Sequence, residues 1–219
     1  MKYQFRAQLL VTFVLLGFCQ EVCGVRNRVL HEAIAAEDIP LVRWLLEEAN
    51  KTGGPDEVCL LVNTEQEGIA PLCKAITTGH VTIAQLLLHG GANACAKDQD
   101  EMTPLHQVAA STINQRDGIK IAELLQEYGA VFSAKNKNRQ TPLHLAAMHG
   151  NAEMPHFLLE RLTDKGMVNG QDKDGKIPLH ISAAGGKLEV VCLLVKYGAE
   201  KKGRVSNLRL RMARKLWRK

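Results

Sequence analysis

Residues 70–92, APLCKAITTGHVTIAQLLLHGGA, decide the fold. Two short apolar segments, a proline near the start and two well-placed glycines predict a pair of helices joined by a tight turn. Pro71 suits the first turn of a helix, where its missing N–H would lack a partner. Gly79 permits the turn between the helices, and Gly91 ends the second helix in a left-handed conformation. The expected apolar stripe of the second helix consists of Ile83, Ala84, Leu86 and Leu87.

The same pattern recurs along the chain. Its opening tetrapeptide appears as IAPL at 69–72, TPLH at 103–106 and 141–144, and IPLH at 177–180. An earlier segment, residues 30–48, has the same order of helices without the Thr-Pro start. One such hairpin cannot bury its apolar face alone, so we expect successive hairpins to stack into a continuous core.

These residues resemble the ankyrin repeat, whose period is 33 residues and whose signature is Thr-Pro-Leu-His-x-Ala. The resemblance covers about residues 27–203 and implies an all-α solenoid of about five helix–turn–helix repeats. The threonine of the signature is expected to cap its helix, and the histidine to bridge neighbouring repeats through its ring nitrogens. The expected domain is 25–203, with repeats at 27–62, 63–95, 96–133, 134–169 and 170–203.

The repeats are unevenly spaced. Their anchor leucines, Leu30, Leu72, Leu105, Leu143 and Leu179, lie 42, 33, 38 and 36 residues apart. We therefore predict surface loops at Gly53-Gly54-Pro55, at 114–118 between the helices of the third repeat, and near 162–165. Pro155 falls in the first turn of its helix, which predicts a short helix rather than a broken one.

The N-terminus predicts a targeting segment. Lys2 and Arg6 precede a twelve-residue apolar run, residues 7–18, and Val22 and Gly24 suit a cleavage site before Val25. This is the layout of a secretory signal peptide, residues 1–24, and the run is too short to span a bilayer. The protein is then secreted. A short interfacial anchor or a simple apolar leader is the alternative, and the protein is cytoplasmic if the leader does not function.

Cleavage would leave four cysteines, Cys59, Cys73, Cys95 and Cys192. Their spacing matches no disulfide framework or zinc pattern, so buried thiols are expected, above all at 73 and 192, with a disulfide among the first three as the alternative. Asn50-Lys51-Thr52 is a glycosylation acceptor, expected in an exposed loop.

The resemblance also implies a concave groove, formed by the turns between repeats and the inner face of each first helix, that binds a partner protein. The turn of the second repeat is acidic, that of the third mostly acidic, that of the fourth basic and that of the fifth mixed. Further first-helix positions expected to be exposed are Thr77, Thr78 and Ser111. The candidate contact residues are Asp98, Asp100, Met102, Gln107, Lys135, Lys137, Arg139, Met148, His149 and Asp174.

Charge is divided sharply along the chain. Residues 25–200 carry 17 basic and 22 acidic residues, whereas residues 201–219 carry nine basic residues and no acid. Leu208, Met212 and Leu216 recur every four residues, as the buried face of a helix would. Residues 204–219 are therefore either a capping helix over the last repeat, an arm that binds a polyanion or an anionic membrane, or a degenerate sixth repeat. The basic positions of this tail that would meet an anion are Arg209, Arg211, Arg214, Lys215, Arg218 and Lys219.

No catalytic motif, cofactor site or metal site is predicted. His31, His106, His144 and His180 occupy the signature position and are expected to be structural, and no acid is paired with a base at catalytic spacing.

The leading hypothesis is a monomeric, non-enzymatic, exported module that binds a protein, in the manner of an effector. The alternatives are a cytosolic regulator similar to the ankyrin-type inhibitors of Rel transcription factors, and a surface binder acting through the basic tail.

Overall fold

The computed structural model describes residues 19–66, 68–111, 114–149, 152–162 and 165–200. The described residues form ten α-helices and a 3-10 helix at Lys165–Asn169. The chain divides into two compact units, and the boundary between them along the sequence lies between Asn93 and Ala94. We call them unit 1 and unit 2. Within each of them the predicted all-α fold of helical hairpins is confirmed.

Unit 1 contains four helices, α1 (Cys19–Ala35), α2 (Ile39–Asn63), α3 (Pro71–Thr78) and α4 (Val81–His89). Helix α1 packs against α2 and α3, and α4 packs against both as well. Gly79 ends α3 with φ 81°, and Gly91 follows α4 with φ 87°, as predicted. The buried stripe of α4 is Ile83, Ala84, Leu87 and Leu88, so the fourth buried position is Leu88 and not the predicted Leu86.

Unit 2 contains six helices, α5 (Pro104–Ala110), α6 (Gln115–Glu127), α7 (Pro142–His149), α8 (Glu153–Arg161), α9 (Pro178–Ala184) and α10 (Leu188–Lys196). First helices pack on first helices, in the order α5, α7, α9, and second helices on second helices, in the order α6, α8, α10. Each helical hairpin thereby buries its apolar face against the next hairpin. The core includes Leu105, Ile121, Leu125, Leu179 and Leu194, all fully buried.

The prediction of a loop at Gly53-Gly54-Pro55 is wrong. These residues lie within α2, whose two halves meet at a kink at Gly54 (φ 70°, ψ −161°). Pro55 opens the second half, where its missing N–H costs nothing. The extra residues of this repeat therefore lengthen a helix instead of forming a surface loop. The sequon residue Asn50 is exposed, as predicted, but lies in α2 rather than in a loop.

The insertion at 114–118 is also helical. Asn114 caps α6, its side chain accepting a hydrogen bond from the Arg116 N–H, and the rest forms the first turn of that helix. Pro155 lies in the first turn of the nine-residue α8, as predicted. The predicted insertion near 162–165 lies partly outside the described residues.

Of the four cysteines, Cys73 is buried as predicted, Cys95 and Cys192 are half-buried and Cys59 is exposed. No disulfide joins these four residues. Burial raises the pKa of the Cys192 thiol above its usual value. Within the described ranges, no helix is both long and apolar enough to cross a membrane. Of the predicted leader, residues 1–24, the first 18 lie outside the described residues and the last six form the start of α1, while the tail 204–219 also lies outside the described residues.

Candidate functional site

Three turns in unit 2 share one geometry, set by a polar residue at their first position. Asp98, Asn136 and Asp172 occupy that position and open the turns 98–102, 136–140 and 172–176. In each turn, the Oδ1 atom of this side chain accepts hydrogen bonds from the backbone N–H groups two and four residues later, at 2.8–2.9 Å. Such bonds hold the backbone in a fixed bend. Asp98 is thereby engaged inside its turn, and Asp100 is the more exposed acid.

The fourth position of each turn adopts a left-handed conformation. Glu101, Arg139 and Gly175 have φ of 57°, 56° and 71°. A left-handed residue is needed to close the bend, and for Glu101 and Arg139 this costs some backbone energy because their Cβ atoms crowd the chain. The conformation of the turn therefore fixes the direction of the Cα–Cβ bond of Arg139.

Successive turns are also bonded to one another. The Lys137 N–H donates to the Asp100 carbonyl at 3.0 Å, and the Lys173 N–H donates to the Asn138 carbonyl at 3.0 Å. We call this series of three turns, residues 98–102, 136–140 and 172–176, the turn ladder. It carries charged side chains at a spacing fixed by backbone hydrogen bonds.

Two buried histidines, His106 and His144, form hydrogen bonds to the backbone of the turn ladder. The Thr103 N–H donates to His106 Nδ1 at 3.2 Å, and His106 Nε2 lies 3.0 Å from the Gln140 carbonyl of the next turn. Because Nδ1 accepts, the ring proton is on Nε2, which donates to that carbonyl. His144 repeats the arrangement with the Thr141 N–H (3.1 Å) and the Lys176 carbonyl (3.3 Å). The predicted bridging role of the signature histidines is confirmed at these two positions.

Burial lowers the pKa of both rings. Loss of solvation is the main cause for His106 and for His144, and it outweighs the backbone carbonyls that favour the charged form. Both rings are therefore neutral at pH 7, in agreement with the hydrogen-bond pattern.

Pairing within the ladder changes the charge that it presents. Lys97 pairs with Glu101 at 3.2 Å, and Lys176 pairs with Asp174 at 2.8 Å. The second pair lowers the pKa of Asp174 and raises the pKa of Lys176, each mainly through the hydrogen bond between them. Charges paired in this way attract a partner less than isolated ones do.

The middle turn keeps its positive charge. Lys135, Lys137 and Arg139 are all exposed, and no acidic side chain of the described residues lies within ion-pair distance of any of them. The surface of unit 2 along the ladder thus has a basic centre. The exposed acid Asp100 lies on one side and the exposed Lys173 on the other, and the pairs Lys97–Glu101 and Lys176–Asp174 flank the centre.

Some of the other predicted contact residues lie together and some do not. Met148, half exposed, and Asp174 line one open cavity of about 940 Å³ beside α9. His149 lines a different, small cavity formed by α5, α6, α7 and α8. Gln107 is half-buried and donates to Asp98 Oδ2 at 3.3 Å, and Met102 is half-buried as well. Ser111 is also half-buried, whereas Thr77 and Thr78 of unit 1 are exposed.

The large cavity has lining residues that the sequence analysis missed, including Gln140, Asn169, Gln171 and Ile181. Asn169 donates to the Gly198 carbonyl at 3.3 Å and accepts from the Glu200 N–H at 2.7 Å. Asn63 makes the same pair of contacts with Gly91 and Asn93 in unit 1. Asn63 and Asn169 occupy equivalent positions in their repeats. This equivalence was the signal in the sequence that could have predicted the hydrogen bonds of Asn169.

The described residues contain no cluster of three or more His, Cys, Asp or Glu side chains arranged to hold a metal ion. A family model described as "Ankyrin repeats (3 copies)" matches residues 30–136 and residues 109–204, which together are most of the chain. No curated protein matches the chain.

Proposed function

The chain belongs to the ankyrin-repeat family, and from this premise we propose that its partner protein binds on the turn ladder of unit 2 and the adjoining first helices. Ankyrin repeats are protein–protein interaction modules and are typically not enzymes. The part of the partner that meets the ladder is an acidic segment.

One observation carries this proposal: three exposed cations in and directly before the middle turn. Lys135, Lys137 and Arg139 form no ion pair with an acidic side chain of the described residues. A protein that only needed charge for solubility would gain as much from paired or scattered charges. Here three like charges lie within five consecutive residues, 135–139, and an acidic partner would lower their mutual repulsion.

The rigidity of the ladder supports the same site. The backbone of the middle turn is bonded to the turns on both sides, at Asp100 and at Lys173. A surface that is already ordered loses little conformational entropy when it binds. Met148 adds an exposed apolar side chain beside the ladder, and a flexible thioether adapts well to a partner's surface.

The test is charge reversal. We expect K137E/R139E to lose the proteins that the wild-type chain captures from cell extract and culture medium, identified by mass spectrometry. With a purified partner, the dissociation constant should rise roughly tenfold or more at low salt, mainly through slower association. The matched control is R116E/K196E, which reverses two exposed charges on the second helices α6 and α10 that form no ion pair among the described residues.

Equal loss in both variants would show that net charge matters and the ladder does not. Undiminished capture by K137E/R139E would rule the ladder out as the binding surface. The association rate of the wild-type pair should also fall as salt is raised, because the attraction is between exposed charges.

We further propose that the protein is exported and acts outside the cytoplasm of the cell that makes it. The layout of residues 1–24 supports this, and so does the start of the packed body. Gly24 and Val25 are exposed, whereas Arg26 is buried and pairs with Glu57. Cleavage before Val25 would remove Cys19–Gly24 from the start of α1 and keep Arg26 and the residues that follow it in the packed body.

A further inference from the structure

The chain contains one Asn-x-Ser/Thr sequence, Asn50-Lys51-Thr52, and it lies in α2. The asparagine is exposed, whereas Ala49 directly before it is fully buried. The Asn50 side chain is therefore on the solvent side of the helix, where the folded protein has room for an attached sugar chain.

The hydroxyl group of Thr52 is engaged by the fold. It donates to the carbonyls of Glu48 (3.0 Å) and Ala49 (3.2 Å) and accepts a hydrogen bond from Arg26 Nη1 at 3.2 Å. Arg26 belongs to α1 and is buried, and it also pairs with Glu57 in the half of α2 beyond the kink. The packing of α1 against α2 thus holds Thr52 in place.

The helical state of α2 separates the two groups that glycosylation requires. The acceptor motif consists of an asparagine amide and a hydroxyl two residues later, and one enzyme site must contact both. Residues two apart on an α-helix point about 200° apart around the axis and do not face each other. The folded helix therefore presents Asn50 without Thr52 beside it.

The same segment has a different conformation before the hairpin of α1 and α2 forms. Residues 53–55, Gly-Gly-Pro, directly follow the motif, and glycine and proline both disfavour an isolated helix. In the unfolded chain, Asn50 and Thr52 can therefore adopt an extended or turn conformation in which both groups reach one enzyme. The contacts of Arg26 with Thr52 and Glu57 do not yet exist in that state, because they need α1 and α2 to be packed.

We propose that Asn50 is an N-glycosylation site that is modified before α1 packs against α2, and that the packed hairpin is no longer an acceptor. This inference rests on the proposed export, because the donor, an oligosaccharide on a lipid diphosphate, belongs to the secretory pathway. The Asn50 Nδ2 atom loses a proton and bonds to C1 of the first sugar. The bond from that carbon to the diphosphate breaks, the lipid diphosphate leaves with the electron pair, and no atom is oxidised or reduced.

Expression in a eukaryotic secretory cell tests the site. The full chain is made with its own residues 1–24 and, separately, with these residues replaced by the signal peptide of a secreted protein, so that delivery does not depend on the native leader. We expect a mixture of unmodified chains and chains with one sugar chain, separated by electrophoresis and merged by peptide N-glycosidase. Asn50→Gln should abolish the slower band, since the chain has no second Asn-x-Ser/Thr sequence.

Two variants test the competition with folding. Glu57→Ala leaves the buried Arg26 without its ion-pair partner and weakens the packing of α1 on α2, so it should raise the ratio of modified to unmodified chains about threefold or more. Asp56→Ala removes the exposed acid next to it and should leave the ratio at the wild-type value. The ratio is read in cell lysates after a short metabolic pulse, so later loss of misfolded chains does not affect it.

A measurement in vitro needs no destabilising variant. The full chain, folded in a bacterial cytosol and purified, is given the transferase and a lipid-linked oligosaccharide. It should be modified at least about tenfold more slowly than a synthetic peptide of residues 44–58, because i and i+2 residues of a helix do not face each other.

Equal rates for the folded chain and the peptide would overturn the proposal, and so would equal ratios in the wild type, Glu57→Ala and Asp56→Ala. It is also overturned if the chain with the replaced leader reaches the medium without a sugar chain on Asn50. Modification of the chain with the replaced leader alone would support the site and refute export by residues 1–24.

Discussion

His106 and His144 each hold together two pieces of backbone from different repeats. Each ring accepts a hydrogen bond from the N–H at the start of its own helix and donates one to a carbonyl of the next turn. Both rings are fully buried, so water cannot replace these bonds if the ring is lost. A buried donor or acceptor left without a partner costs about 1–3 kcal/mol.

His106→Ala should therefore lower the free energy of unfolding by about 2–4 kcal/mol, since it orphans the Thr103 N–H, removes one of the two hydrogen bonds that the Gln140 carbonyl accepts and leaves a cavity. Urea unfolding followed by circular dichroism measures this. His149→Ala, at an exposed histidine of the same unit, should cost less than about 0.5 kcal/mol. Similar losses for the two variants would contradict the structural role of the buried ring.

The lowered pKa of the two rings also makes stability depend on pH. The unfolded histidines have a pKa of about 6.5, so between that value and the lower folded pKa the unfolded chain binds more protons. Their contribution is complete above about pH 6.5 and is lost as the pH falls below it, by at most about 1.4 kcal/mol per pH unit for each ring.

We expect unfolding free energies measured from pH 7.5 down to pH 5 to fall less steeply in H106Q/H144Q than in the wild type. The glutamines keep hydrogen-bonding groups but do not titrate in this range. An unchanged slope would assign the acid sensitivity to other groups.

At the scale of the elements, the kink in α2 depends on one residue. Gly54 has φ 70° and ψ −161°, a region that is almost confined to glycine. No atom lies within 4 Å of the position where its Cβ would be, so crowding by neighbours is not the constraint. The backbone angle alone demands glycine.

Gly54→Ala should lower the free energy of unfolding by about 1–3 kcal/mol, measured by urea denaturation. Gly118→Ala is the control, because Gly118 lies inside α6 without a positive φ, and a Cβ there would meet only ordinary contacts at 3.7 and 3.9 Å. It should be neutral or slightly stabilising, as alanine favours the helix. Equal effects would show that the kink tolerates a side chain.

The elements also show what the sequence could predict. Hairpins, glycine stops and buried signature histidines followed from repeated local patterns, because each arises within a few residues of chain. The helical state of residues 53–55 and 114–118 did not, since repeat spacing reveals extra residues but not the hydrogen bonds that they make. The net charge of the ladder depended on the pairs Lys97–Glu101 and Lys176–Asp174, which only the folded geometry reveals.

At the scale of the whole molecule, an acidic body of residues 25–200 is joined to a basic tail, and the predicted leader, residues 1–24, precedes both. In a eukaryotic secretory cell we expect the chain to be recovered from the medium with Val25 as its N-terminus, read by mass spectrometry. Gly24→Trp should block this cleavage, because the site needs a small residue there. Retention of the wild-type chain in the cytosol with Met1 intact would refute export.

In the turn ladder, the residues that fix the backbone of unit 2 differ from the residues whose side chains are available to contact a partner. The bend of each turn depends on the first and fourth positions, whereas the side chains at 100, 137 and 173 project from residues whose amides and carbonyls do the bonding. Mutations at those three sites can accumulate without disturbing the scaffold. Related chains could thus acquire new specificities quickly, and a designer could graft a chosen set of contacts there while keeping every helix as it is.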